Sequence, residues 1–230
     1  RGLGDVYKRQ DVYRGKVKAC NNIFKYALFV SYFPQITQGP IGRYNRLAHQ
    51  FFEKHEFDLV RIQHGLQLMA WGFFKKMVLA DRAALIVEEV FRYVHLYHGF
   101  TVLFGVLAYT LQLYADFSGG MDIVMGASEM FGVKLDQNFK QPFFSNSISD
   151  FWHRWHITLG TWMKDYIFYP FSLSKAMNKF GKFTKKVFGN TVGRCLPICL
   201  ANLLIFFIVG VWHGAQWKYI AYGFYNGFLI

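Results

Sequence analysis

Two long runs without a charged side chain set the pattern of this sequence. Tyr93–Ala115 and Cys195–Trp217 contain no Asp, Glu, Lys or Arg. A helix needs about 20 apolar residues to cross the hydrocarbon core of a bilayer. Both runs reach that length, so each predicts a membrane-spanning helix.

Three further apolar runs are shorter or interrupted. Tyr26–Gly42 contains two prolines, at which a helix is expected to end or kink. Residues 64–80 carry the pair Lys75–Lys76, whose charges must reach the membrane surface or a wet cavity. Together with the terminal run from Tyr219, these segments predict about five to seven helices in or against a membrane.

The segment SYFPQITQGPIGRYNRL, residues 31–47, is predicted to have an irregular backbone. Such a backbone is tolerated at membrane depth only where it is buried in protein or lines water. Gln35, Gln38, Arg43 and Arg46 can satisfy its polar groups or contact an anionic ligand. Both interpretations stay open at this point.

Residues 116–175 differ from the runs around them because aromatic and ionisable residues are mixed there. Helices this polar cannot face lipid alone, so they are predicted to lie at the interface or to line a cavity in a bundle. Ser147 or Ser149 is predicted to cap a helix that carries Asp150 near its positive end. Residues 176–190, with four lysines and two glycines, are predicted to form a basic loop.

Composition also favours a lipid environment. Hydrophobic residues make up 53% of the chain and charged residues 17%, whereas soluble domains carry about 25% charged residues. The net charge is +12, and the basic residues cluster between apolar runs. They are therefore predicted to face anionic lipid at a cytoplasmic surface, and no nucleic-acid partner is expected. The predicted fold class is an all-α, polytopic integral membrane protein.

Both ends of the chain affect its predicted domain organisation. Residues 1–10, RGLGDVYKRQ, are predicted to be a non-native assembly scar, because DVY recurs directly afterwards at Asp11–Tyr13. The chain also stops inside an apolar run. Residues 11–230 are therefore expected to be part of a larger membrane domain that is truncated at the C-terminus and at the N-terminus.

The stretch GVWHGAQW, residues 210–217, places His213 at the end of an apolar run. An ionisable side chain there is a candidate functional residue. The alternative is a histidine at the membrane interface, hydrogen-bonded to a carbonyl beside Trp212 and Trp217. A buried imidazole stays neutral and can accept a proton near pH 7.

A second candidate stretch is FWHRWHITLGTWMKDYIFYP, residues 151–170. His153 and His156 are three apart and are predicted to share a helix face. No third strong ligand follows at a diagnostic distance, so no metal site is predicted. A polar helix that lines an aromatic cavity fits better, with His156, Arg154 and Asp165 available to orient or contact a substrate.

A third candidate stretch is QLYADFSGGMDIVMG, residues 112–126. Asp116 and Asp122 flank Gly119–Gly120. The two carboxylates can coordinate an ion, or the glycines can hold a turn between two membrane helices. We favour the structural break. The chain contains no G-x-S-x-G elbow, P-loop or dinucleotide fingerprint that would indicate a soluble enzyme site.

Taken in order, these motifs resemble the membrane-bound O-acyltransferase family. The likeness is closest to its bacterial branch, which contains the alginate O-acetyltransferase and the teichoic-acid D-alanyl transfer protein. The matching stretches lie within residues 31–227. They are YFPQITQGPIGRYNRL, GFFKKMVLAD, LQLYADFSGGMDIVMG, NFKQPFFSNSISDFWHRWHITLGTWMKDYIFYP and GVWHGAQWKYIAYGFYNG.

The resemblance implies a bundle of helices around a tunnel with a histidine near its middle. That histidine corresponds to His213, which would act as general base and take a proton from an acceptor hydroxyl. A second family histidine corresponds to His156, which would position the acceptor or stabilise charge. Further residues implied for the substrate or tunnel wall are Trp212, Trp152, Trp155, Arg154, Asp116, Asp165 and Asn226.

Two positions depart from the family pattern. Asn226 stands where many relatives carry a further histidine, which puts a role for that position in doubt. The chain reads WHRWH where relatives usually read WRRWH. His153 thus replaces a basic residue and is expected to be a surface or loop contact, not a second base.

The implied reaction is acyl transfer at a bacterial plasma membrane by a multi-pass protein without a bound cofactor. The acyl donor would be a thioester, such as acetyl-CoA or an acyl carrier, supplied by a carrier on the cytoplasmic side. An extracytoplasmic partner would complete transfer to a polysaccharide or teichoic-acid acceptor. Acetylation is the first expectation and D-alanylation the second. From a different class, a transporter or channel is the alternative, although such proteins often show internal repeats and none is visible.

Overall fold

Helices account for all the regular structure in the part of the chain that the structure describes. The structure, a computed structural model, describes residues 9–15, 17–36, 38–214 and 216–230. An isolated bridge between Phe139 and Trp155 is the sole β pairing in those ranges. The all-α prediction is therefore confirmed. Of the predicted assembly scar, residues 1–8 lie outside the described residues.

The chain divides into two compact units, Arg1–Asn138 and Phe139–Ile230. In the first unit, residues 9–13 are helical, and a 3-10 turn, Ala48–Phe51, and a π-helix, Phe74–Ala80, lie between longer elements. Its α-helices are α1 (Ile23–Ser31), α2 (Phe33–Ile36), α3 (Tyr44–Leu47), α4 (Leu59–Phe73), α5 (Asp81–Arg92) and α6 (Phe100–Met130).

The irregular segment predicted at residues 31–47 is confirmed. The Asn22 side chain caps α1, and α1 ends at Ser31, before Pro34 can interrupt its hydrogen bonds. The Gln35 side chain donates from Nε2 to the Pro40 carbonyl at 3.3 Å, so a side chain satisfies this non-helical backbone. The Tyr32 hydroxyl lies 2.7 Å from the Ser128 hydroxyl and ties the segment to α6.

Glycines bring α4 and α6 into close contact. A Cβ on Gly65 would lie 2.7 Å from the Gly126 carbonyl oxygen, and a Cβ on Gly72 would lie 2.6 Å from that of Gly119. The pairs run in opposite directions, so the two helices are antiparallel. Small residues at such crossings let helix backbones approach closely and pack without a side chain between them.

The break predicted at Gly119–Gly120 is wrong. α6 continues as one α-helix from Phe100 to Met130. The glycines are instead required by packing, because each lies against another part of the first unit: Gly119 against Gly72, and Gly120 against the Gln38 side chain. Tertiary contact offsets the loss of about 1 kcal/mol that glycine costs in a helix interior.

The other side of α6 is apolar and exposed. Phe100, Phe104, Leu107 and Leu111 follow a helical spacing, and all four are classed as exposed. Contiguous apolar surface of this kind is unfavourable in water and typical of a helix that faces lipid. α6 is one of two helices in the described residues that are long and apolar enough to cross a membrane.

The second unit carries the other candidate span. Its elements include a 3-10 turn, Pro142–Phe144, and a π-helix, Lys164–Phe168. Its α-helices are α7 (Ile148–Arg154), α8 (Ile157–Met163), α9 (Tyr169–Ser172), α10 (Lys175–His213) and α11 (Trp217–Leu229). Ser147 caps α7 by accepting from the Asp150 amide at 3.0 Å, as one of the two predicted caps.

α10 is a helical hairpin, not a straight rod. At Gly189 the backbone has φ 77° and ψ 178°, a conformation that glycine adopts without a Cβ penalty. The chain reverses there, because the Thr184 hydroxyl donates to the Gly193 carbonyl at 2.7 Å. We call residues 175–188 the lysine arm and residues 190–213 the apolar arm.

The basic loop predicted at residues 176–190 is therefore wrong, since most of it is the lysine arm. Ser174 caps this arm by accepting from the Met177 amide at 3.2 Å. Lysine is a good helix former, so a run of lysines does not by itself indicate a loop. The apolar arm is about 36 Å long at 1.5 Å per residue, enough for a bilayer core of about 30 Å.

Candidate functional site

A cavity of about 390 Å³ lies in the second unit. Its walls come from α7, α8, the π-helix after α8, the apolar arm and α11. Both predicted histidines, His156 and His213, line it. Aromatic and polar side chains line the rest, including Trp152, Trp155, Phe206, Tyr222, Ser149, Thr161, Asn202 and Lys164.

His213 is the last residue of α10. The helix ends there because Gly214 leaves the helical conformation, with φ 155°. The His213 ring lies 6.3 Å from the Tyr219 ring and 6.4 Å from the Tyr222 ring, measured between centroids. Its side chain is exposed rather than buried, so it faces the open cavity between aromatic neighbours.

Close packing of α11 on the apolar arm sets the position of His213. A Cβ on Gly210 would lie 2.5 Å from the Tyr219 carbonyl oxygen, and one on Gly223 would lie 2.3 Å from the Phe206 carbonyl oxygen. The two backbones are therefore in direct contact one turn before His213. This contact brings Tyr219 and Tyr222 beside the imidazole.

His156 lies between α7 and α8 in a left-handed conformation, with φ 47° and ψ 50°. A side chain other than glycine rarely adopts this conformation, which costs on the order of 1 kcal/mol and is often found at functional sites. The His156 carbonyl accepts from the Gly160 amide at 3.0 Å, which starts α8. Burial and the neighbouring His213 lower the pKa of His156 to about 4. Its imidazole is therefore neutral at pH 7.

The predicted shared helix face of His153 and His156 is wrong. α7 ends at Arg154, and Trp155 is extended, so the two histidines belong to different local structures. His153 remains on α7, is exposed, and its Nδ1 lies 2.6 Å from the Ser149 carbonyl. Among the described residues, no group of three or more His, Cys, Asp or Glu side chains could hold a metal.

Trp212 connects the two site histidines. Its ring centroid lies 6.2 Å from that of His156 and 5.0 Å from that of His213. The two imidazoles come from segments far apart in sequence, one between α7 and α8 and the other at the end of α10. The second unit therefore assembles both predicted histidines around one indole ring.

Trp152 and Trp155 line the cavity as predicted. The Trp152 ring contacts the rings of Phe206 and Tyr222, with centroid distances of 5.3 Å and 6.4 Å. The Trp155 ring stacks on Phe151 at 5.6 Å. The Trp152 indole nitrogen is buried and has no hydrogen-bond partner within the described part of the chain.

Three other predicted residues of the second unit are not among those that line the cavity. Arg154 donates from Nε to Asp150 Oδ1 at 2.9 Å, and this hydrogen bond lowers the pKa of Asp150. Asn226 is buried in α11 and donates from Nδ2 to the Tyr222 carbonyl at 2.9 Å. Asp165 lies in the π-helix after α8.

Asp116 belongs to the first unit, in an ion-pair network at the π-helix Phe74–Ala80. Lys76 Nζ lies 2.6 Å from Asp116 Oδ1 and 2.9 Å from Asp81 Oδ1. Lys75 Nζ lies 2.6 Å from Asp122 Oδ2. The two lysines predicted to need water or a wet cavity are thus neutralised by carboxylates, and in the case of Lys75 this happens in a buried position.

Lys164 is a cavity residue that the sequence analysis did not select. It is exposed, lines the cavity, and its Nζ lies 5.8 Å from the centre of the Tyr169 ring. A lysine in WMKDY looks like an ordinary polar residue in sequence. The signal that was present is its place on the polar stretch 151–170, one helical turn after the cavity residues Gly160 and Thr161.

The fold and the site together define a helical membrane protein with a pair of histidines in an aromatic cavity. A model of the MBOAT, membrane-bound O-acyltransferase family, matches residues 20–185. The chain belongs to this membrane-bound family, as its resemblance to the family motifs predicted. His156 lies within the matched residues, and His213 lies beyond them.

Individual relatives act on different polymers according to their names. The chain is 37% identical to a probable alginate O-acetylase, AlgI, of Pseudomonas putida over 219 residues, 94% of this chain and 41% of the relative. It is 34% identical to the peptidoglycan O-acetyltransferase of Helicobacter pylori, over 98% of this chain and 43% of the relative. It is 31% identical to the teichoic acid D-alanyltransferase of Bacillus subtilis, over 88% of this chain and 49% of the relative. The chain thus spans less than half the length of these relatives.

Proposed function

We propose that this chain contributes the acceptor-activating site of a membrane O-acyltransferase that modifies hydroxyls of an extracytoplasmic polysaccharide or cell-envelope polymer. The observation that carries the proposal is the common cavity of His156 and His213. Two imidazoles from distant segments meet there among aromatic rings. Membership of an acyltransferase family supports the same reaction class.

His213 is proposed as the general base. Its imidazole takes the proton from the acceptor hydroxyl while the hydroxyl oxygen attacks the acyl carbonyl carbon. The carbon–sulfur bond of a thioester donor then breaks, and the thiol leaves with a proton. His156 is proposed to hydrogen-bond the acceptor or the developing charge, and its low pKa keeps it neutral at pH 7.

The aromatic walls are proposed to keep water away from the donor. Trp152, Trp155 and Trp212 surround the histidines, and water that entered the cavity would compete with the acceptor for the acyl group. Asp116, Arg154, Asp165 and Asn226 have no direct part in this proposal, because none of them lines the cavity.

The transferred group is proposed to be acetyl, delivered as a thioester from acetyl-CoA or an acyl carrier without any bound cofactor. Two acetyl-transferring relatives by name, at 37% and 34% identity, support this choice. A donor carrier on the cytoplasmic side and a transfer partner on the outer side complete the proposal. The protein would lie in a bacterial plasma membrane as a multi-pass protein.

D-Alanyl transfer to teichoic acid is the second candidate. It is favoured by the 31% identity to a relative of that name. The chemistry at His213 would be the same, because a D-alanyl thioester also presents a carbonyl to an acceptor hydroxyl. The two candidates therefore differ in donor and acceptor and not in the role of the base.

The first experiment compares ester-linked acetate and ester-linked D-alanine on purified envelope polymers. It uses the full-length protein in its native host, as wild type, His213→Ala and His156→Ala, at matched membrane abundance. We expect His213→Ala to lower one of the two esters by about 100-fold or more, the usual effect of removing a general base. The ester that falls identifies the acyl group.

His98→Ala is the matched control, since His98 is exposed in the loop between α5 and α6. It should leave both esters at the wild-type level. Normal levels of both esters in His213→Ala, at normal abundance, would contradict the proposed base. A transporter would then be the function to test, by its flux across the membrane.

A further inference from the structure

The lysine arm of α10 has a continuous row of positive charge along one face. Lys175, Lys179, Lys182 and Lys186 are spaced by four, three and four residues, which places them on one side of a helix. All four are exposed. Residues 175–194 contain no Asp or Glu. The row is therefore not neutralised by its own segment.

A second face of the arm is apolar and also exposed. Phe183 is 61% exposed and Val187 is 55% exposed. With Phe180, they lie at helical angles directly beside the lysine row. Large apolar side chains next to a basic row are typical of a helix that lies in the plane of a membrane surface.

The third face fixes the direction of the other two. Met177 and Thr184 are buried, and Thr184 donates to the Gly193 carbonyl of the apolar arm at 2.7 Å. A Cβ on Gly193 would lie 2.5 Å from the Lys185 Cα, so the arms touch backbone to backbone near the turn. The lysine row and the apolar face consequently point away from the hairpin.

We propose that the lysine arm lies at an anionic membrane surface and binds phosphate-bearing lipid headgroups. The lysine row contacts the headgroups, while Phe180, Phe183 and Val187 enter the boundary with the acyl chains. The arm is well placed for this, because the uncharged part of the apolar arm begins just after Arg194. An acidic soluble partner would match the lysines but not the exposed apolar face beside them.

Depth of insertion tests this proposal. The full-length protein, with Cys20, Cys195 and Cys199 replaced by serine, carries an environment-sensitive fluorophore on Phe183→Cys or on Lys179→Cys. It is placed in lipid nanodiscs that contain phosphatidylglycerol and a spin-labelled lipid as quencher. We expect strong quenching of the fluorophore at residue 183 and little at residue 179. Equal quenching at both, or none at residue 183, would overturn the proposal, the latter because protein or water covers the apolar face.

The charge requirement is tested with headgroup-specific quenchers. Quenching at residue 183 by spin-labelled phosphatidylglycerol is divided by quenching with spin-labelled phosphatidylcholine. Changing Lys179, Lys182 and Lys186 together to glutamine should lower the anionic preference by about fivefold or more, since each lysine near the surface contributes about that factor. An unchanged ratio would overturn the role of the lysines.

Two matched variants separate lipid binding from misfolding and from net charge. Arginine at the same three positions should keep the ratio of the wild type, because the charge is retained. Glutamine at the exposed lysines Lys18, Lys54 and Lys134 removes the same charge elsewhere and should also keep it. A loss in the control set as large as in the arm would show a general charge effect and overturn the proposal. Neither result depends on the proposed acyl transfer.

Discussion

At the scale of single residues, the site depends on where helices stop. His213 faces the cavity because α10 ends at Gly214, and His156 faces it because α7 has ended two residues earlier. The resemblance to family motifs selected both histidines. Residue spacing alone placed His153 and His156 on one helix face, which was wrong because the left-handed conformation of His156 has no clear signal in a single sequence.

The buried indole of Trp152 leads to a residue-scale prediction about hydrogen bonding. Trp152→Phe retains an aromatic wall and removes an Nε1 donor that has no partner in the described residues. Since an unsatisfied buried donor costs about 1–3 kcal/mol, the folded protein should not lose stability beyond the smaller ring. If substrate accepts a hydrogen bond from this donor, polymer ester content should fall by about tenfold.

Trp162→Phe is the control for Trp152→Phe. The Trp162 indole nitrogen is likewise buried without a partner among the described residues, but Trp162 does not line the cavity. Ester content should stay at the wild-type level in this variant. Equal ester content in both variants would show that Trp152 serves only as wall.

The low pKa of His156 predicts a pH dependence of stability. Its pKa is about 4 in the folded protein and about 6.5 when unfolded. The unfolded chain therefore binds more protons between these values, so stability is fully present above about pH 6.5 and is lost as pH falls toward about 4. His156→Asn removes the titration and keeps a side chain that tolerates the left-handed conformation.

The measurement is the thermal unfolding midpoint of the full-length protein in detergent at several pH values. Wild type should lose more stability than His156→Asn between pH 7 and pH 4.5. Parallel curves for the two proteins would mean that His156 is not the group responsible. Other titrating groups cancel, because they are common to both proteins.

At the scale of elements, glycine has two different uses in this chain. Gly189 makes a turn at positive φ, whereas Gly119 lies inside a helix and admits a neighbouring backbone. Composition does not distinguish the two uses. Spacing does: Gly65 and Gly72, like Gly119 and Gly126, are seven residues apart and so share a helix face. The lysine row likewise carried a helical spacing that the presence of two glycines obscured.

Close packing of α4 on α6 predicts a strong effect of one added methyl group. In Gly72→Ala the new Cβ would lie 2.6 Å from the Gly119 carbonyl oxygen and 2.8 Å from the Ile123 amide nitrogen. Both neighbours are backbone atoms and cannot move aside cheaply. We expect a loss of about 1–3 kcal/mol of stability, the usual cost of overpacking, measured by unfolding of the full-length protein in detergent.

Gly181→Ala provides the comparison for Gly72→Ala. Its Cβ would meet Pro197 Cγ at 3.5 Å, an ordinary contact. This variant should be neutral or more stable by about 1 kcal/mol, because alanine favours a helix interior more than glycine does. If Gly72→Ala proved as stable as Gly181→Ala, the close approach of α4 and α6 would be contradicted.

At the scale of the whole molecule, charge and apolar surface are distributed as a membrane requires. The charged residues within the first unit's apolar runs pair with one another, as Lys75 does with Asp122 and Lys76 with Asp116. The lysines of α10, by contrast, are exposed on one face. Pairing keeps charge out of contact with lipid chains, while unpaired lysines are suited to the headgroup region.

The sequence by itself determined the all-α class, the membrane environment, the family and the two site histidines. Long uncharged runs and family motifs are properties of the order of residues, so they can be read without coordinates. Only the tertiary structure decided that α6 is unbroken, that residues 176–190 are mostly helical, and that Asp116 pairs with Lys76. Each of these depends on contacts between segments distant in sequence. The energy of such contacts, through glycine packing, ion pairing and the reversal at Gly189, overrides local propensity.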